Sequence, residues 1–414
     1  MESKMKNYLF IILAVVLCAA MLCSGAFANE NAAAYLKEYF GVTFDGEVTA
    51  EAYNAALTAM DSKPLDGETF TLADAVIGAV RLAGMEEMAK AYVNEANPDK
   101  AAKILADEHI SVDEAYQPYI ACALELDLVS DDADFSGPVS AETAAVMLYR
   151  AAEISGKGRH YFGRLSDDSI LVNARSAMDS DFNFDDLKLD GAGLNILVKE
   201  ATTGYSLKYS RFDARFIEEN TIRYGHDDIT HLVQLIQLLK SEDFDAYVQV
   251  EPKVSVYEYM PEWGLPKSDT PTYAVKELVD GRYFAFAMEY ELVLEFDTTE
   301  EKNKFHDLIE DYAKKYDDRV DADGNIIKEL LYNSFWQPLY YSVTEMDGDV
   351  YEEMIDNVVM SADDYFSIHS FSLADKTDAV AEAVREIAPE LNAEQRTVYV
   401  NPAFYRYITG IDYQ

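Results

Sequence analysis

Strict alternation of apolar and polar positions runs longest from Arg282 to Phe296. Phe284, Phe286, Met288, Tyr290, Leu292, Leu294 and Phe296 fall on one face, and Tyr283, Ala285, Ala287, Glu289, Glu291, Val293 and Glu295 on the other. Period two over that length predicts a strand of an antiparallel sheet with one face buried. The glutamate face reads as solvated, against the alternative of paired carboxylates for glycoside chemistry. Phe244 to Val256 alternates in the same way, Tyr273 to Val279 adds a strand before Gly281, and Met354 to Met360 pairs with Tyr365 to Phe371 around Asp363-Asp364. A 3.6-residue period predicts a helix that starts at His226-Asp227-Asp228 and carries Ile229, Leu232, Val233, Ile236 and Leu239 on one face to Lys240. Further helices are predicted from Thr298 to about Tyr316 and from Lys376 to Ile387. Residues 159–414 therefore read as an α+β domain, an antiparallel sheet with packed helices.

Residues 29–158 differ in character, being Ala-rich and all-α in pattern. Thr49 to Met60 reads as a helix and Asp61 to Glu68 as a loop, after which Phe70-Thr71 leads into a helix from Leu72 to Ala83. The order returns later: a helical run from Tyr116 to Val129, a polar loop from Ser130 to Gly137, then Ser140 capping Ala141 to Ile154. Such a repeat marks a unit that cannot bury its apolar face alone. Gly156-Lys157-Gly158 marks the seam between the regions.

Residues 1–28 have the pattern of an export signal. Lys4 and Lys6 precede an apolar core from Leu9 to Leu22, and Ala26-Phe27-Ala28 places small residues where a signal peptidase cuts. The core is too short for a membrane span, so cleavage before Asn29 is expected, with no span remaining. Leu17 and Leu22 precede Cys18 and Cys23 where lipid attachment needs a small residue, which argues against a lipoprotein. Loss of Lys4, Lys6 and Glu2 takes away a net +1, so a formal charge of −42 becomes −43. A surface so acidic excludes nucleic-acid binding and favours cations, basic partners or simple solubility. The mature chain keeps one cysteine, Cys122, in an apolar helical run, so no disulfide framework or Cys-rich metal site is expected.

The repeat in residues 29–158 resembles the S-layer homology (SLH) family, whose units run as helix, aromatic-containing loop, a Thr-Arg-Ala-Glu-like tetrad and closing helix. Phe135, Pro138 and Val139-Ser140-Ala141-Glu142 carry the likeness in one unit, and Phe70 with Thr71-Leu72-Ala73-Asp74 in the other. Leu165-Ser166-Asp167-Asp168, running into Ile170 to Met178, reads as the start of a third unit reaching to about 180. The resemblance implies a secreted, cell-surface protein with an acidic cell-wall polysaccharide as partner. Leu72 and Ala141 stand where the tetrad arginine would meet that ligand, so the alternative is a helix pair that keeps the packing and has lost the contact. Arg81, Arg150 and Arg159, with Lys157, are the nearby cations that remain as ligand-binding candidates.

A helix beginning after Tyr224-Gly225, followed by strands, also resembles the core of transglutaminase-like and papain-like folds. That likeness implies a nucleophilic cysteine at the helix start and a histidine on a strand. Here the position is His226, no cysteine follows Cys122, and Phe244 to Phe296 contains no histidine, so cysteine-type catalysis is not expected. His226, Asp227 and His231 are the densest metal-capable cluster, although His226 and His231 diverge if both lie on one helix. A divalent cation is the one cofactor candidate, set against a capped helix with two ordinary histidines. Asp321-Ala322-Asp323-Gly324-Asn325-Ile326 has part of a calcium-loop pattern, but Arg319 and Leu330 occupy two principal ligand positions. The sequence thus points first to a noncatalytic cell-envelope protein presenting an α+β binding or structural domain. An extracellular hydrolase with a site near His226, or a cation- or solute-binding surface module, are the alternatives.

Overall fold

A computed structural model describes residues 31–67, 70–176, 186–226, 229–260, 268–278, 281–312, 339–346 and 351–409. Residues 1–28, expected to be an export signal, together with Asp227 and the Asp321 to Ile326 loop, lie outside the described residues. The chain forms two compact units that meet between Arg159 and His160.

In the first unit, residues 31–40 are helical (α1). They are followed by β1 (Glu47–Val48), α2 (Ala50–Ala59), α3 (Leu72–Leu82), α4 (Glu86–Ala91), α5 (Lys100–Asp107), α6 (Gln117–Glu125), β2 (Val139–Ser140) and α7 (Ala141–Ile154). Capping chemistry sets the boundaries. The Thr49 hydroxyl accepts from the Ala52 amide (3.2 Å), Ser140 accepts from Thr143 (3.0 Å), and the Asp74 carboxylate accepts from the Thr71 amide (2.9 Å). Two main-chain contacts join the segments around Val48 and Thr71 to the segment around Ser140. β1 pairs antiparallel with β2, and the first amides of α3, at Leu72 and Ala73, donate to the carbonyls of Gly137 and Phe135. Tyr53, Leu57, Val76, Ala79, Cys122, Met147 and Leu148 share one buried core. Gly78 permits the α2–α3 approach, since a Cβ there would lie 2.9 Å from Leu57 Cδ1 and Tyr53 Cε1.

The second unit contains β3 (Gly163–Arg164), α8 (Ile170–Ser176), α9 (Leu187–Val198), β4 (Gly204–Tyr209), β5 (Thr221–His226), α10 (Ile229–Ser241) and β6 (Ala246–Glu258). β7 (Tyr273–Glu277), β8 (Tyr283–Phe296), α11 (Thr299–Tyr312), β9 (Leu339–Ser342), β10 (Glu352–Met360), β11 (Phe366–Ser372), α12 (Thr377–Ile387), β12 (Ala393–Val400) and α13 (Pro402–Thr409) complete it. Eight strands close into an antiparallel barrel in the order β6-β4-β11-β10-β12-β9-β5-β8, with β8 returning to β6. β3 and β7 attach outside the ring, to β6 and β8. The fold is therefore a mixture of helices and an antiparallel sheet, as α+β implies, but the sheet has no two free edges: it closes on itself.

The barrel has two related halves. β5, α10, β6, β8, α11 and β9 form a β-α-β-β-α-β unit with sheet order β9-β5-β8-β6. The other half, in the order β12-β10-β11-β4, repeats those neighbour relations, with its α9-β4 arm moved ahead in the chain. Helices clothe the outside of both. Val248, Val250, Leu292, Leu294 and Phe296 pack against Leu232, Ile236 and Leu239 of α10 and Phe305 and Ile309 of α11. Leu207, Val256, Phe284, Val359 and Ile368 pack against Leu189 and Ile196 of α9 and Val380 and Val384 of α12.

Three expectations change. Ile170–Ser176 does not open a third helical repeat, because Ile170 and Ala174 lie in the same core as α10 and β6 of the barrel unit. His226 ends a strand rather than starting a helix, with α10 beginning at Ile229. The glutamate face of β8 is not solvated, since Glu291 and Glu295 are each 1% exposed.

Candidate functional site

The inner face of the barrel can be followed by register, because directly opposed residues of antiparallel strands project to the same side. Glu291 opposes Gly225, Arg223 opposes Tyr341, Tyr341 opposes Val400, and Arg396 opposes Asp356. Asp356 opposes Phe371, Ser367 opposes Lys208, Lys208 opposes Lys253, and Lys253 opposes Glu289, which returns to β8. Period two along each strand keeps the parity around the ring. The apolar set faces the helices, and the interior receives charge.

Glu291 is the centre of that charge. Its carboxylate takes the Lys208 ammonium, accepts from the Tyr341 hydroxyl at 3.0 Å, and lies 3.1 Å from Lys253 Nζ and 3.9 Å from Arg223 Nε. Gly225 makes room for the lysine, since a Cβ there would stand 3.1 Å from Lys253 Nζ. Burial alone would raise the Glu291 pKa, but Lys208, Lys253 and Arg223 outweigh it and hold the carboxyl well below the usual range. Glu251, directly across from Glu291, goes the other way. Burial pushes it up to about 7, with Asp213 and Glu291 adding to the rise against the opposing Lys208 and Arg223. Its Oε1 accepts from the Ala214 amide at 2.9 Å. Arg223 is held by Glu218 at 2.6 and 3.0 Å, and Arg396 reaches the same carboxylate at 2.6 Å. Against its burial, these two cations lower Glu218 to about 2.

The ends of the interior are covered. Phe404, Tyr405 and Ile408 of α13 pack against Tyr341, Met354, Val398 and Val400. At the other end Ala214 and Phe216 pack against Val293 and Tyr247. Phe371, which opposes Asp356, also lines a cleft of about 390 Å³ together with Thr202, Thr203, Arg282, Ser372 and Lys376.

A second polar chain crosses the same face. Asp356 Oδ2 lies 2.7 Å from His369 Nδ1, and His369 Nε2 lies 3.1 Å from Ser367 Oγ. Asp356 is 2% exposed, and among the described residues its other oxygen has no hydrogen-bond partner.

The candidates from sequence are committed elsewhere. Arg81 pairs with Glu86 at 3.2 Å, Arg150 donates to the Asp127 carbonyl, and Arg159 bonds the Tyr149 hydroxyl while its guanidinium lies 4.9 Å from the Tyr35 ring centroid. Those contacts share no partner. His226 and His231 do come together, Nε2 to Nδ1 at 3.0 Å, because His226 sits on β5 and not on the helix. One nitrogen of that bond carries the proton and the other accepts it, so a metal held by both of these nitrogens would have to break the bond. Among the described residues no three His, Cys, Asp or Glu side chains group to hold a metal. Cys122 is buried in the helical unit, where desolvation raises its thiol pKa. Lys208, Arg223, Glu251, Asp356, Ser367 and His369 were missed as site residues. The alternation of β8 was the one available signal, and it needed the knowledge that the sheet closes. No protein family, curated protein or solved structure matches this chain. Among the described residues no helix is long and apolar enough to cross a membrane.

Proposed function

We propose that this is an exported cell-envelope protein whose SLH-like helical unit associates with wall polysaccharide and whose barrel binds a small polar solute in its charged interior. The observation that carries the reading is the interior itself. An eight-stranded barrel is wide enough to be filled by side chains or to hold one small ligand, and here strands from around the ring turn charged groups inward. Buried carboxyls whose acidities are driven apart by specific neighbours are also the electrostatic mark of a working site. Export rests on the leader at residues 1–28, and wall association on the two tetrads at Thr71 and Val139. With Leu72 and Ala141 in the arginine positions, attachment is weak and reversible by salt.

Calorimetry on the mature chain with a panel of small amines, carboxylates and sugars tests the barrel. Binding by the wild type that is lost in Lys208→Met supports the reading, and a panel that leaves both proteins unaffected contradicts it. Cell fractionation tests the rest. A chain beginning at Asn29 and released from the envelope by moderate salt is expected, whereas a full-length cytoplasmic chain would refute export.

A further inference from the structure

We propose that Ser367, His369 and Asp356 form a nucleophile–base relay that hydrolyses small acyl esters inside the barrel. The inference rests on the reading of the interior as a ligand-receiving site and adds a reaction to it. The order of contacts is the one nucleophilic catalysis needs: a carboxylate on Nδ1 (2.7 Å) and a hydroxyl on Nε2 (3.1 Å) of one imidazole. When Nδ1–H donates to Asp356, Nε2 holds the lone pair that accepts the Ser367 proton. Among the described residues the second oxygen of Asp356, only 2% exposed, has no hydrogen-bond partner. Ser367 and His369 lie two apart on one face of β11, and Asp356 lies on the adjoining β10, so the parts are carried by paired strands rather than by a mobile loop.

The surroundings fit an ester. Ser367 is opposed by Lys208 on β4 and by Met360 on β10, while His369 is opposed by Val358. On the sheet Ser367 therefore has a lysine on one side, whose ammonium is taken by Glu291, and the apolar side chains of Met360 and Val358 on the other. Ser367 Oγ adds to the ester carbonyl carbon as its proton passes to His369 Nε2 and the C=O π pair moves onto oxygen. Collapse of that adduct breaks the C–O bond to the alcohol, which leaves with the proton from Nε2 and gives acyl-Ser367. Water repeats the sequence, releasing the carboxylic acid and regenerating Ser367. Ser367 and His369 are the catalytic residues, and Asp356 is a positioning residue that fixes the imidazole tautomer.

The mature full chain should hydrolyse p-nitrophenyl acetate and butyrate and be labelled by a fluorophosphonate probe at Ser367, located by peptide mass spectrometry. Ser367→Ala and His369→Ala should abolish labelling and lower hydrolysis at least about a hundredfold. Asp356→Asn should lower kcat with little change in KM. Ser136→Ala removes a hydroxyl bonded to Asp134 at 2.7 Å in the helical unit and should leave both readouts intact. Thermal melting of each variant separates lost chemistry from lost fold. Hydrolysis that survives Ser367→Ala, or a folded wild type that is neither labelled nor active, overturns the relay. If that inactive wild type still binds a solute dependent on Lys208, the binding proposal stands alone, and if it binds none, both fall.

Discussion

Glu251 and Glu291 oppose one another across β6 and β8, and their neighbours move their acidities apart. Glu291 has cations on several sides, whereas Glu251 shares Lys208 at 3.8 Å and looks toward further negative charge. The sign of the pH dependence follows. Because the folded pKa of Glu251 is raised to about 7, its contribution to stability is complete below the ordinary carboxyl range and is lost as pH rises through about 7. Glu251→Gln keeps the carbonyl that accepts from Ala214 and removes that loss. The variant should therefore gain on the wild type in melting temperature from about pH 5 to about pH 8, a trend checked by calorimetry across that range. A difference independent of pH would show that Glu251 is ordinary. Lys208→Met should be costly at neutral pH, by about 3–5 kcal/mol in denaturant titration, because it leaves the buried Glu291 charge short of a partner. None of this was legible from the glutamates as residues. In a chain with 76 Asp and Glu, their spacing on one strand has no meaning until the strand is known to line an interior.

At the scale of elements the sequence spoke more clearly. The period-two run from Arg282 to Phe296 matches β8 (Tyr283–Phe296), and the Ser140 cap places α7 to the residue, because alternation and capping are local chemistry. The sequence reading does not find β4, β5, β9 or β12 of the barrel. β9 has four residues, too few to show a period, and Thr221–His226 interrupts its apolar pattern with Arg223 and Gly225, which face the interior. The helix predicted from His226 failed at its first turn for a related reason. A histidine beside acidic residues looks like a cap, yet tertiary pairing with β8 extends the strand through it. In the helical unit the α2–α3 contact is a matter of one hydrogen atom. Gly78→Ala would press a methyl to 2.9 Å from Leu57 and Tyr53. The expected loss is about 1–3 kcal/mol despite the better helix propensity of alanine, measured by chemical denaturation. A stabilised variant would mean that the two helices separate without cost.

For the whole molecule, the sequence conveyed an antiparallel sheet with helices on it, and closure changed what that sheet means. An open sheet of this pattern has an apolar face against helices and a wet acidic face. Closed, it has the same apolar face outward and the acidic face turned into a space it shares with Lys208, Arg223 and Lys253. Closure depends on pairings distant in the chain, β6 with β4 and β12 with β9, and these leave no local mark. The same closure brings Ser367, His369 and Asp356 onto an inner wall. Carbon-13 NMR titration of the glutamate side-chain carboxyls in the mature chain tests this most directly. The account predicts that Glu251, assigned by its loss in Glu251→Gln, titrates near 7, while Glu291 stays ionised well below the ordinary range. Both carboxyls titrating together at the value of an exposed glutamate would mean that the acidic face of β8 is in water, and would contradict the charged interior on which the functional reading stands.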